Sequence, residues 1–178
     1  MAIIVVGGSG RGAGKTSLIC GLMRALPEIP WTAVKITAHS HGFAEPVYEE
    51  NAAGEGSDTA RYLAAGARRA LLVTAENATL GAIVKRILLE SAPDSGVIFE
   101  SNSVLVHVKP DLCLGVVARP TAGSKPSFEM VERCMDAMVE LAGHDHVIPG
   151  ERLGFHLVSL EKPSAPMIAW LGEHLRNR

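Results

Sequence analysis

The sequence lacks the marks of a secreted, membrane-spanning or nucleic-acid-binding chain. It has three cysteines in 178 residues, Cys20, Cys113 and Cys134, an odd number with no C-x-x-C spacing. They read as reduced, buried thiols of a cytoplasmic protein, not as a disulfide framework. Charge of neither sign dominates. The formal net charge is −2 and the pI about 6.4, which gives no electrostatic footprint for nucleic acid or an anionic membrane. No apolar run approaches the roughly 18 residues of a membrane span. The N-terminus carries an apolar run but no basic leader and no cleavage site, so it reads as a strand and not as a signal peptide. There is no internal repeat and no low-complexity tract. What is present, 47% hydrophobic and 20% charged residues, suits one globular domain over residues 1–178 with a core of useful size.

The most informative stretch is residues 3–26. Ile3-Ile4-Val5-Val6 leads into Gly7-Gly8-Ser9-Gly10-Arg11-Gly12-Ala13-Gly14-Lys15-Thr16-Ser17, after which Leu18, Ile19, Leu22, Met23 and Leu26 recur at helical spacing. Strand, glycine-rich loop and helix are the setting of a phosphate-binding P-loop. Glycines let the backbone wrap phosphate oxygens. The helix start offers unpaired N–H groups and a positive dipole end. Residues Ser9, Gly10, Arg11, Gly12, Ala13, Gly14, Lys15, Thr16 and Ser17 are the candidate cradle. Lys15 would reach the β- and γ-phosphates, and the Thr16 hydroxyl would ligate Mg²⁺. The usual pattern opens with glycine four residues before Gly-Lys-[Ser/Thr], and here that position is Ser9, flanked by Gly8 and Gly10. Two competitors exist. One is a plain glycine-rich turn with Lys15 solvated. The other is a dinucleotide fingerprint on Gly8-Ser9-Gly10-Arg11-Gly12-Ala13. The latter wants an acidic residue near the end of the second strand, where this chain has Lys35.

Further along, Pro27 and Pro30 mark a break and residues 32–37 read as the second strand. Residues 38–56 form a long unpatterned stretch, expected to order or move with nucleotide. Ser57 and Asp58 are N-cap candidates for a helix through Ala65, closed by Gly66. Strands follow at 69–74, at 96–99 ending in Glu100, and at 111–117 with a break at Pro120. Between the first two, Leu80, Ile83, Val84, Ile87 and Leu88 make a helix face. Phe128, Val131, Met135, Met138 and Val139 predict another helix, residues 155–160 a late strand. A last helix from Ser164 is expected to bury Ile168, Leu171 and Leu175, with Trp170 beside them. Strands alternating with helices, several of them continuous apolar runs, predict an α/β fold. It is a three-layer P-loop NTPase architecture with a mostly parallel sheet and helices on both faces. Ligands in such sheets sit at the carboxyl ends of strands. That edge gathers the P-loop, the segment after Thr37, Glu100, and the Ala118–Ser127 loop.

Glu100 closes an apolar strand, where a carboxylate can hold Mg²⁺ or polarise an attacking water. Asp58 is a cap or a second carboxylate at the metal. Lys35 suits phosphate, a carboxylate such as Glu100, or a solvated surface. His39 and His41, like His144 and His146, have i,i+2 spacing but lack the third and fourth ligands of a metal site. Arg11 is placed to touch phosphate of its own or a neighbouring subunit's nucleotide, or to point to solvent. Asn-Lys-x-Asp is absent, so base contacts are sought in the Ala118–Ser127 loop, at Arg119 and Lys125.

Four local matches resemble the molybdopterin-guanine dinucleotide biosynthesis adapter family, the GTP-binding partner of the guanylyltransferase. They are the N-terminal loop ending Gly14-Lys15-Thr16; Lys35-Ile36-Thr37-Ala38-His39, where the family has Lys-His-Thr-His-His; Gly56-Ser57-Asp58-Thr59-Ala60-Arg61 with Ala64-Ala65-Gly66-Ala67; and Val97-Ile98-Phe99-Glu100-Ser101-Asn102-Ser103, where the family has a strand ending in Glu-Gly. They run from residue 2 to about 117. Ser9, Ile36 and Ser101 depart from the family's residues. The resemblance implies GTP as nucleotide, nucleotide and Mg²⁺ roles for Asp58 and Glu100, and a homodimer. It also implies a relationship to P-loop ATPases such as dethiobiotin synthetase. The expected function is triphosphate binding with Mg²⁺ and slow hydrolysis, in which Lys15, Glu100 and Asp58 act, within molybdenum cofactor maturation. The alternatives are an ATP-dependent small-molecule ligase or kinase, and a non-catalytic nucleotide-sensing module.

Overall fold

The first strand is built from residues that cannot be left in water. Ile4, Val5 and Val6 have no exposed surface, and they lie in the middle of a sheet. The computed structural model describes residues 1–38, 45–117, 126–141 and 153–176. In chain order the strands are β1 (Ala2–Gly8), β2 (Trp31–Thr37), β3 (Val47–Glu49), β4 (Arg69–Thr74), β5 (Gly96–Glu100), β6 (Leu112–Val116), β7 (Ala137–Leu141) and β8 (Gly154–Leu157). The helices are α1 (Lys15–Ala25), α2 (Asp58–Ala64), α3 (Asn77–Glu90), α4 (Pro126–Glu129) and α5 (Ala165–Arg176).

The strands form one sheet in the order β3-β4-β2-β5-β1-β6-β7-β8. Among the described residues only the β3–β4 pair is antiparallel. Alternate strand residues feed two cores, as a strand's period of two requires. Ile4, Val6, Ala33, Ile98 and Leu114 pack in one core with residues of α1, α2 and α5. Val5, Val34, Phe99 and Cys113 pack in the other with residues of α3 and the 128–135 segment. The α/β layering expected from the sequence is what the chain adopts.

Four sequence expectations need correction. Phe128, Val131, Met135 and Met138 do share one core, but Ala137 and Val139 face the other. That alternation makes 137–141 strand β7, parallel to β6, and not the end of a helix. Helix is confined to α4 and a 3₁₀ turn at Glu132–Cys134, and the Cys113 N–H donates to Asp136 Oδ2 at 2.7 Å to start the strand. The unpatterned stretch after Thr37 contains β3, which pairs along the edge of β4. In α5 the fully buried positions are Met167 and Leu171, while Ile168, Trp170 and Leu175 pack half-buried against them. Of the cysteines, Cys20 and Cys113 are buried as expected, but Cys134 is exposed.

The C-terminal part of the described chain reaches back to α1. Leu160 sits where a Cβ on Gly14 would be, and the backbone of Leu160 and Glu161 lies against Gly21. Glu161 also pairs with Arg61 at 2.8 Å and Arg24 at 3.2 Å.

Candidate phosphate-loop site

The loop between β1 and α1 has the backbone that its glycines allow. Gly12 and Gly14 stand at φ of 74° and 94°, a region that side chains disfavour. Gly14 is the N-cap of α1, has no side chain to cap the helix, and no acidic residue lies in the first turn. The helix start is therefore without a side-chain cap from its own N-cap residue, and no acidic residue of its first turn offsets the positive end of the helix. The Ser9 N–H donates to the Val116 carbonyl at 3.0 Å, so the position where the usual pattern has glycine is held by β6. The Lys15 stem crosses Gly8, where any Cβ would meet its Cδ at 2.9 Å. Its ammonium donates to the Gly10 carbonyl at 3.1 Å, bending the lysine back over the loop. Ala13 is buried and Arg11 is exposed.

Strand register creates the second half of the site. Lys35 on β2 is paired directly with Glu100 on β5. Lys35 lies two residues beyond Ala33 and Glu100 two beyond Ile98, so both share the face toward the layer that holds α1 and α2. The first turn of α1 brings Thr16, whose hydroxyl donates to Glu100 Oε2 at 2.7 Å. The first turns of α2 bring Asp58 and Tyr62. The Tyr62 hydroxyl donates to the same Glu100 oxygen. The Lys35 ammonium donates to Glu100 Oε1 at 3.1 Å and to Asp58 Oδ2. Ser57, and not Asp58, caps α2, accepting the Ala60 N–H at 3.0 Å. That frees Asp58 for the cluster. Glu50 steadies the cap, accepting from Ser57 and Thr59 hydroxyls at 3.1 Å each.

The electrostatics follow from burial and pairing. Burial acts to lower Lys35, but Glu100 and the hydrogen bond and charge of Asp58 outweigh it, and the ammonium titrates above its ordinary value. Burial acts to raise Asp58, but Lys35, with Thr16 and Arg61, holds it below the usual carboxylate range. Burial, then Glu100, drives the Tyr62 phenol well above its ordinary value, so it remains a donor. Among the described residues the donors that could face a cation here are oxygens, the Thr16 hydroxyl and the Asp58 and Glu100 carboxylates. That set matches a hard divalent ion and not a soft one.

Of the residues singled out in the sequence, Ser9 to Ser17, Lys35, Asp58 and Glu100 converge at the carboxyl edge of β1, β2 and β5. Arg119, Lys125, His39, His41, His144 and His146 lie outside the described residues. Sequence reasoning gives no role to Tyr62 or Asn102. A tyrosine within a helix carries no signal of its own for a place at the site. Asn102, whose side chain meets Gly8, had the visible signal of an amide just past the end of an apolar strand.

A strand–glycine loop–helix with lysine and threonine at the helix start, central in a mostly parallel sheet, gives the chain the α/β architecture of P-loop proteins. No family model and no curated protein matches it by sequence. Among solved structures, "apo" form LpxK from Aquifex aeolicus in complex with ATP aligns with a TM-score of 0.58 and 17% identity. The alignment covers 88% of this chain and 53% of LpxK. This chain thus spans about half the length of that protein. The MobB protein homolog from Bacillus stearothermophilus aligns over 100% of both chains, with a TM-score of 0.51 and 16% identity. At these identities the likeness is one of fold, and it agrees with the resemblance carried by the sequence motifs. No helix among the described residues is long and apolar enough to cross a membrane.

Proposed function

We propose that this chain binds a nucleoside triphosphate together with Mg²⁺ at the carboxyl edge of β1, and that GTP is the favoured nucleotide. The observation that carries the reading is the meeting of two independent halves. A loop with an uncapped helix start and Lys15 lies beside Thr16, Asp58 and Glu100. The loop amides and Lys15 would take the phosphates. Thr16, Asp58 and Glu100 would hold Mg²⁺, which neutralises phosphate charge when bound. Glu100, pinned by three donors, is fixed in place to orient the metal shell or a water, and Lys35 keeps the two carboxylates together without repulsion. Hydrolysis in such a site is slow, and Lys15, Glu100 and Asp58 carry it. GTP, a homodimer and an adapter role beside a cytoplasmic molybdenum cofactor guanylyltransferase rest on the motif resemblance and on the fold shared with the MobB homolog.

A second reading is an ATP-dependent small-molecule kinase or ligase. It is favoured by the likeness to LpxK, which was crystallised with ATP. Side-by-side calorimetry of GTP and ATP with Mg²⁺ separates the two, GTP preference supporting the first and ATP preference the second. Lys15→Ala is expected to abolish binding of both. A variant that binds as tightly as the wild type would sink the phosphate-site reading itself.

A further inference from the structure

The ladder between β1 and β5 ends in register at Val6 and Glu100, and the Ser101 N–H then donates to the Val6 carbonyl at 3.2 Å. One residue later the main chain of β5 turns away into a 3₁₀ turn, Ser103–Val106. The ladder continues through a side chain. The Gly8 N–H donates to Asn102 Oδ1 at 2.9 Å, and Asn102 Nδ2 donates to the Gly8 carbonyl at 3.1 Å. A carboxamide offers a donor and an acceptor side by side, as a peptide does, so it can stand in for one rung. On the other side of β1, Gly8 is in register with Val116, and the Ser9 N–H is taken by the Val116 carbonyl. The peptide that opens the glycine loop is therefore clamped from both neighbours. The fit needs glycine, since a Cβ on Gly7 would lie 2.7 Å from Asn102 Oδ1. Asn102 Nδ2 also reaches Ser127 Oγ at 3.3 Å, in α4.

We infer that Asn102 is a positioning residue for the phosphate loop. It holds the Gly8 peptide so that the amides beyond it are already arranged for an anion, and it ties that arrangement to the start of α4. It touches no phosphate; it acts through Gly8. The inference rests on the nucleotide-binding reading above. It goes beyond that reading in assigning the loop's shape to a side chain on β5's exit.

The test pairs amide hydrogen exchange with triphosphate affinity, on the full chain. Asn102→Ala removes both hydrogen bonds. It is expected to speed exchange of the Gly8 amide about tenfold or more and to weaken GTP–Mg²⁺ binding about tenfold. Exchange at Val5 and Val6, inside the ladder, is expected to stay as in the wild type, which a general loss of structure would not allow. Asn102→Asp keeps the acceptor for the Gly8 N–H and loses the donor to its carbonyl. It is expected to restore Gly8 protection while binding stays weak. Unchanged Gly8 exchange in Asn102→Ala overturns the clamp. Faster Gly8 exchange with unaltered affinity overturns the positioning role. A wild-type chain that binds no triphosphate removes the underlying reading, and this inference with it, whatever Gly8 does.

Discussion

Replacing Lys35 by methionine keeps the stem and deletes the charge that holds Asp58 and Glu100 together. The cost can be worked arm by arm. Glu100 is 6% exposed, so its carboxylate would keep the Thr16 and Tyr62 donors but lose its compensating cation in a place with little water. Removing one partner of a buried pair typically costs about 3–5 kcal/mol. Lys35 is 24% exposed and Asp58 34%, so solvent screens the second arm, and it adds at most about 1 kcal/mol. Residual hydrogen bonds and partial access bring the expected loss to about 2–3 kcal/mol at neutral pH. Urea unfolding followed by fluorescence of the buried Trp31 measures it. Lys35→Met/Glu100→Gln is expected to be less destabilised than the sum of its single variants by at least about 1 kcal/mol, since the stranded charge is gone. The gap between wild type and Lys35→Met also has a pH signature. Lys35 is raised in the fold, so its contribution is complete below its unfolded value near 10.4 and is lost as pH rises through the higher folded value. Asp58 is lowered, so its contribution is present above its unfolded value near 3.9 and fades as pH falls through the lower folded one. The gap should be flat from about pH 5 to pH 9, narrow by the Asp58 share as pH falls below that, and close as pH rises through the folded value of Lys35. A loss under about 0.5 kcal/mol, or strict additivity in the double variant, would refute the buried-pair argument.

Two further outcomes follow from the same geometry. Ser57→Ala removes the side-chain cap of α2 and should cost about 1 kcal/mol in urea unfolding, with Ser57→Thr, which keeps a hydroxyl for both the Ala60 N–H and Glu50, recovering most of it; equal losses in both would disprove the cap. Burial pushes the Cys20 thiol up to about 11 and the Cys113 thiol to about 12, while Cys134 is exposed. A thiol reagent near pH 7.5 should therefore label Cys134 first in the native protein and the other two only on unfolding, and mass mapping of early labelling at Cys20 or Cys113 would contradict the packing.

The part of the fold that could be read from residues is the part where local signals agree. Around Lys15 an apolar strand, a glycine loop and a helical period all point the same way, and the structure places each as read. At 128–139 they disagree. Phe128, Val131, Met135 and Met138 carry a helix's spacing because a short helix, a 3₁₀ turn and a strand happen to send them into one core. Only the burial of Ala137 and Val139 in the opposite core reveals β7, and that depends on tertiary neighbours. The carboxylates were legible as candidates, Glu100 from its strand end and Asp58 from its helix start. Their union was not. It depends on the β2–β5 register that sets Lys35 beside Glu100, and on Ser57 relieving Asp58 of capping. Tyr62 was hidden because a tyrosine on a buried helix face looks like packing until its hydroxyl is followed to Glu100.

The central position of β1 has a consequence for how the protein is made. Its neighbours in the sheet are β5 and β6, so during synthesis β1 has neither sheet partner until the chain has been extended past Glu100 and then Val116. The loop that follows waits longer, since Leu160 packs on Gly14, and Ser17 meets Glu161 across 144 residues of sequence. At about 5–20 residues added per second, a very apolar segment stays unpaired for several seconds of synthesis. The phosphate loop therefore acquires its final walls only after Leu160 and Glu161 have been made, long after the loop itself.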